Sequence, residues 1–109
     1  MQFDAHITGP DDLGWYAAEA LLKGSNIGTA EARPEPEYPG SVYISHVSVD
    51  AAYRQKGVGI DLLLMLVDRI DQARGGEYPV TARAATIPGR LLLDAFERIR
   101  PGRITVMDD

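Results

Sequence analysis

Hydrophobic positions along the chain change their period several times, and each change predicts an element. In residues 1–7 (MQFDAHI), Phe3, Ala5 and Ile7 alternate with Gln2, Asp4 and His6, the period of two expected of a half-buried strand. Gly9-Pro10-Asp11-Asp12 interrupts it as a turn. Residues 14–23 (GWYAAEALLK) read two ways. Their Ala, Glu and Leu content favours a helix capped by Asp11 or Asp12 and stopped at Gly24. Gly24-Ser25-Asn26 could equally be a hairpin turn joining two strands, 15–23 and 27–33. Residues 34–40 (PEPEYPG) hold three prolines and a glycine, which predicts an exposed, somewhat stiff loop.

Residues 41–50 carry Val42, Tyr43, Ile44, Val47 and Val49, the β-branched and aromatic set of a central strand. Residues 57–74 then form the main helix. Its apolar positions run through Ile60, Leu62 to Val67 and Ile70, leaving Asp61, Asp68, Asp71 and Gln72 as a narrow polar stripe. So wide an apolar arc predicts burial on more than one side, under a sheet or against a partner subunit, and Gly75-Gly76 ends it. A strand is expected over 78–85 with Pro79 near its start, a helix opened by Pro88 with Leu91, Leu92, Ala95, Phe96 and Ile99 at helical spacing, and a last short strand over 103–107. Strands, helix, strand, helix, strand is the order of an α/β layer fold, here an α+β mixed sheet.

The turn Arg54-Gln55-Lys56-Gly57-Val58-Gly59 is where this pattern acquires chemistry. A strand, a glycine turn and a helix present backbone N–H groups at a helix start, where the helix dipole also favours negative charge. Gly57 and Gly59 remove side chains where an anion would approach, and Arg54 and Lys56 add positive charge at the same end. The spacing is neither that of a Walker-type phosphate loop nor that of the three-glycine dinucleotide fingerprint. On spacing alone, a tight strand-to-helix connection is as good a reading as an anion site.

Composition narrows the options. With 109 residues, 45% hydrophobic and 25% charged, the chain is expected to form one globular domain over 1–109. A net charge of −5 argues against general nucleic-acid binding, which needs basic patches. There is no cysteine and only two histidines, so no disulfide framework or thiolate metal site is available and no metal is expected. No signal-like N-terminus and no apolar run long enough for a bilayer is present, and a cytoplasmic, soluble protein without a membrane partner is expected.

Residues 46–70, HVSVDAAYRQKGVGIDLLLMLVDRI, resemble the acetyl-CoA-binding core of the GCN5-related N-acetyltransferase (GNAT) superfamily. That family's signature is Gln or Arg, two variable residues, Gly, one variable residue, then Gly or Ala, and 54–59 fill every position. The strand before the turn, the Asp-Ala-Ala-Tyr lead-in and the leucines after it also match. The resemblance implies an acyl-CoA N-acyltransferase-like fold, with a central, mostly antiparallel sheet and two main helices, truncated relative to the family. It implies that the backbone of Val47, Ser48 and Val49 pairs with the pantetheine arm of acetyl-CoA. The pyrophosphate would lie on Arg54, Gln55, Lys56, Gly57, Val58, Gly59 and Ile60. Too few residues precede 41 for the family's first two helices, so 15–23 is assigned to a strand against its propensity. The chain end is short by about one strand, a gap that a homodimer would fill.

Acid–base groups are few. His46 lies on the key strand with an intrinsic pKa suited to accepting an amine proton, while its neighbours Val47 and Val49 read as core. Tyr43 and Ser45 stand where relatives place polar catalytic groups. Glu19 and Glu31 would flank the acceptor side, although solvated surface carboxylates are the simpler reading. Tyr53 reads as packing and His6 as an ordinary strand residue. The second helix carries Phe96 where the family has the tyrosine that protonates the departing thiolate, and Gly89 where it has an asparagine. The function implied is acetyl transfer from acetyl-CoA to a primary amine, small molecule or peptide, by direct attack in a ternary complex. The acidic balance is compatible with a cationic acceptor and does not choose among them. The alternative is a non-catalytic acyl-CoA-binding or protein-interaction module on the same fold.

Overall fold

The computed structural model describes residues 2–83 and 87–107. In chain order these form β1 (Asp4–Thr8), β2 (Tyr16–Leu22), β3 (Ser25–Pro34), β4 (Val42–Val49), α1 (Val58–Arg74), β5 (Val80–Arg83), α2 (Ile87–Ile99) and β6 (Ile104–Met107), with one 3-10 turn at Ala51–Tyr53. The strands make one six-stranded sheet in sequence order. Pairings β1–β2, β2–β3 and β3–β4 are antiparallel, and β4–β5 and β5–β6 are parallel. The mixed sheet and both helices therefore form as the pattern predicts. Residues 84 and 85 of the expected fifth strand lie outside the described residues, as does Met1 of the first.

Residues 16–22 form a strand, and the reason their composition suggests a helix is now visible. Tyr16, Ala18 and Ala20 are buried while Ala17, Glu19 and Leu21 are only partly covered. The period is two, but alanine occupies both faces and hides it. Asp11, a candidate helix cap, instead accepts from the N–H groups of Leu13 and Trp15, both at 2.9 Å, and so shapes the turn that feeds β2.

Small residues bring α1 down onto the sheet. Ala18, Ala20, Ala30 and Ala32 are at most 1% exposed. A Cβ on Gly28 would lie 3.3 Å from both Val58 Cγ1 and Leu62 Cδ1 and 3.2 Å from the Ser48 carbonyl oxygen. Val58, Leu62, Leu63, Leu66, Val67 and Ile70 are buried along this contact, and each fully buried side chain of this size contributes about 1.5–3 kcal/mol. Leu93 and Phe96 of α2 enter the same core. The wide apolar arc of α1 is thus explained by the sheet beneath it and α2 beside it, where Leu92 lies against Gly59. Gly75 closes α1 in the left-handed region at φ 79°. Beyond it, Asp71 accepts from both Arg103 Nη2 (2.7 and 2.8 Å) and the Tyr78 N–H (3.0 Å), tying the helix end to β5 and β6.

Both helices lie on one face of the sheet, as two right-handed crossovers in the same direction require. Among the described residues no helix covers the other face, where alternation places Trp15, Glu31, Arg33, Tyr43 and His46. The proline-rich loop is exposed, as its composition predicts, at every residue from 34 to 40 except Glu35. Glu35 is only 3% exposed, because its carboxylate accepts from Thr81 Oγ1 (3.3 Å) and the Glu37 N–H (3.2 Å) and stands 3.7 Å from Arg83 Nη1.

Candidate functional site

Strand β4 is bound on one side along its whole length and on the other for only a short distance. Its pairing with β3 continues from Val42 to Val49, whereas its pairing with β5 covers Val42, Tyr43 and Ile44. Beyond Ile44 the strand presents a free edge among the described residues. An extended chain with amide groups can add to such an edge as a strand would. The β3–β4 register shifts between Glu31 and Ala32, leaving Ser45 as the extra residue of a bulge. The bulge changes which side chains face where. Tyr43 and His46, three positions apart, both face away from α1, while Ile44, Val47 and Val49 face the core side. Ser45 Oγ is turned back to β3, donating to the Glu31 carbonyl oxygen at 3.3 Å.

At the end of that edge the chain turns into α1. The first helical bond runs from the Asp61 N–H to the Gly57 carbonyl oxygen, 3.0 Å. The amides of Val58, Gly59 and Ile60 are left to find partners outside the helix, and no side chain caps them. Gln55 (φ 62°) and Gly57 (φ 83°) are both in the left-handed region, free for glycine and for Gln55 a cost accepted only where the turn is tightly specified. Lys56 is exposed beside the amides, and Arg54 is fixed by an Nε bond to the Val49 carbonyl oxygen at 3.1 Å. Uncapped amides at a helix start, flanked by a lysine and an arginine, fit a phosphate group.

The two glycines of the turn do different work. Nothing lies within 4 Å of a Cβ built on Gly57, so its requirement is conformational and its outer side stays open. A Cβ on Gly59 would meet Leu92 Cδ1 at 3.3 Å and Val49 Cγ2 at 3.7 Å. Gly59 is small because α2 packs there, a role the spacing alone did not reveal.

The open face adjoins the free edge. Glu31 is opposite His46, and Arg33 opposite Tyr43. His46 is exposed and its ring makes no hydrogen bond among the described residues. Arg33 Nε donates to the Tyr43 hydroxyl oxygen, so the tyrosine's own hydrogen is directed elsewhere. The guanidinium also lies over the Trp15 and Tyr43 rings. No local sequence signal points to Arg33; its place appears only when β3, β4 and the residue entering β2 bring the three side chains together. Phe96, by contrast, is 1% exposed in the core. Among the described residues no group of three or more histidine or carboxylate side chains is arranged to hold a metal.

A strand edge that is unpaired among the described residues thus leads into an uncapped, glycine-turned helix start. The sequence model of the acetyltransferase (GNAT) family matches residues 2–86, and the chain belongs to that family. No curated protein sequence matches it. Among solved structures it resembles an aminoglycoside acetyltransferase, HMB0005, from an uncultured soil metagenomic sample, with TM-score 0.62 and 23% identity over 84% of this chain and 60% of that one. It also resembles the ribosomal-protein-alanine N-acetyltransferase from Brucella melitensis biovar Abortus 2308, with TM-score 0.61 and 25% identity over 77% of this chain and 63% of that one. A third is AAC(6')-Iy in complex with the bisubstrate analog CoA-S-monomethyl-acetylneamine, with TM-score 0.57 and 21% identity over 78% of this chain and 59% of that one. The chain spans about three fifths of the length of these structures.

Proposed function

We propose that the chain is an acetyl-CoA-dependent N-acetyltransferase whose acceptor is a primary amine. The observation that carries the reading is the continuity of the free β4 edge with the uncapped amides of α1. The backbone of Val47, Ser48 and Val49 would hold the pantetheine arm, and the turn from Arg54 to Ile60 the pyrophosphate. Acetyl-CoA supplies the activated thioester, and the chain's part is to bind, orient and move protons. Uncapped N–H groups and the Arg54 cation, fixed by its bond to Val49, are preorganised for negative charge, so little reorganisation is needed on binding. Holding both reactants in one geometry converts a bimolecular attack into an effectively unimolecular one. His46, exposed beside the free edge, accepts the proton of the attacking amine, directly or through water. The Tyr43 hydroxyl, held by Arg33, protonates the departing thiolate, and Ser45 positions the bulge through its bond to β3.

A second reading has its own observation. Phe96 is locked in the core and brings no hydroxyl to the site from α2, so a non-catalytic acyl-CoA-binding or protein-interaction module is the competing function. Thiol release from acetyl-CoA in the presence of an amine panel separates them. Turnover that drops on His46→Gln with acetyl-CoA binding intact supports the enzyme. Binding without release across the panel supports the module.

The same proposal places the chain with a cytoplasmic acetyl-CoA pool; no described helix is long and apolar enough to cross a membrane. A homodimer through the outer edge at β6, where Val106 is exposed, would cover the unpaired strand. A sedimentation experiment giving only the 11.9 kDa monomer would remove that part.

A further inference from the structure

Arg33 is held on the helix-free face in a fixed attitude. Its guanidinium carbon lies 5.3 Å from the Trp15 ring centroid and 5.1 Å from that of Tyr43, and its Nε donates to the Tyr43 hydroxyl oxygen. The cation is therefore positioned by two rings and one hydrogen bond. Its two terminal nitrogens have no hydrogen-bond or ion-pair partner among the described residues. Arg100 binds Asp68, Arg103 binds Asp71, Arg83 stands against Glu35, Arg69 and Arg54 donate to the Gly9 and Val49 carbonyl oxygens, and Arg74 lies over the single ring of Tyr78. In a chain with a net charge of −5, Arg33 is a half-buried cation held by rings rather than by an acid.

A guanidinium with Nε engaged and both terminal NH2 groups available is a planar fork that matches a carboxylate. The next row on the same face holds Glu31 opposite His46. Residues two apart on a strand face the same side about 6–7 Å apart, so a negative and a positive group alternate toward the bulge at Ser45. We propose that Arg33 binds a carboxylate of the acceptor, so that the acceptor is a zwitterion: a primary amine separated by several methylenes from a carboxylate. The carboxylate docks on Arg33 against Trp15, and the amine lies toward Glu31 and His46. The inference rests on the acetyltransferase reading above and adds the acceptor's class to it.

Trp15 is the only tryptophan in the chain and lies against the proposed ligand, so its emission reports occupancy without any turnover. The full chain, with CoA present, is titrated with 4-aminobutyrate, its amide 4-aminobutanamide, n-butylamine and O-phosphoethanolamine. The expected result is a saturable change with 4-aminobutyrate at a Kd at least about tenfold below that of the amide. Arg33→Gln should erase that preference, and Arg33→Lys should keep part of it, each with a native far-UV circular dichroism spectrum. Equal binding of acid and amide, tighter binding of O-phosphoethanolamine, or no saturable change with the acid overturns the inference. Should Arg33→Gln fail to fold, the wild-type acid-to-amide comparison alone decides. The two levels separate in the thiol-release assay. Turnover of n-butylamine as efficient as that of 4-aminobutyrate overturns the carboxylate site and leaves the enzyme. Binding of 4-aminobutyrate with no release from any amine overturns the enzyme and leaves the site.

Discussion

Replacing Gly28 with valine tests how the cradle is supported. Gly28 lies under the first turn of α1, where an added Cβ would already be 3.2 Å from the Ser48 carbonyl oxygen and 3.3 Å from Val58 and Leu62. Val58 and Leu62 are essentially inaccessible to solvent, so neither can swing outward. Valine adds two further methyl groups beyond that Cβ. Overpacking of this kind costs about 1–3 kcal/mol, and more when backbone must move. A β-branched residue recovers up to about 1 kcal/mol in strand preference. The net expectation is a loss of about 2 kcal/mol. For a chain of this size each kcal/mol corresponds to roughly 4 °C or a little more in Tm, so a fall near 8 °C is expected. Urea unfolding followed by circular dichroism measures it, with Thr29→Val as the control on the opposite face, expected to lose no more than about 1 kcal/mol for its hydrogen bond with Asn26. The Gly28 variant should also bind acetyl-CoA more weakly, because the displaced first turn carries the free amides. Gly28→Val within about 0.5 kcal/mol of the parent, the range of an ordinary surface change, would refute the packing argument.

Four further outcomes are expected. Gly57→Val forces a β-branched residue to φ 83°, which costs about 1–2 kcal/mol, and it should remove the acetyl-CoA-induced thermal shift; a retained shift places the phosphate elsewhere. Phe96→Tyr puts a hydroxyl into the core, lowering stability by about 1–3 kcal/mol in urea melts without raising the rate of thiol release. Asp71→Ala removes the acceptor for Arg103 and Tyr78, and a loss of about 1.5–3 kcal/mol is expected in the same melts for this charged hydrogen-bond pair. His46→Gln should lower kcat by about 10²-fold or more in steady-state assays while the KM for acetyl-CoA stays put; an unchanged kcat removes His46 from proton transfer.

The strand, turn and helix start of the candidate site were legible in the sequence because local rules dictate them. A β-branched run, a two-glycine turn and a long apolar helix must produce a strand, a tight connection and a helix start, whatever the rest of the chain does. The identity of β2 was not legible from its own residues. Alanine on both faces erased the alternation, and only the space needed between β1, β3 and α1 makes Tyr16 to Leu22 extended. Tertiary contact likewise decides Gly59, which is small for Leu92, and Glu35, whose burial depends on Thr81 far away in sequence. The open face beside the β4 edge depends on register. One extra residue at Ser45 puts Tyr43 and His46 on a common face, and β3, β4 and the entry to β2 must all be in place to stack Trp15, Arg33 and Tyr43. Residue spacing carries no trace of either.

The most direct test of the account is a 15N–1H correlation spectrum of the chain titrated with acetyl-CoA. Saturable shifts are expected at the amides of Val47, Ser48, Val49 and residues 55–60, with β1 and the β2–β3 turn unmoved. No saturable shift, or the largest shifts on β1 and the β2–β3 turn, would contradict it.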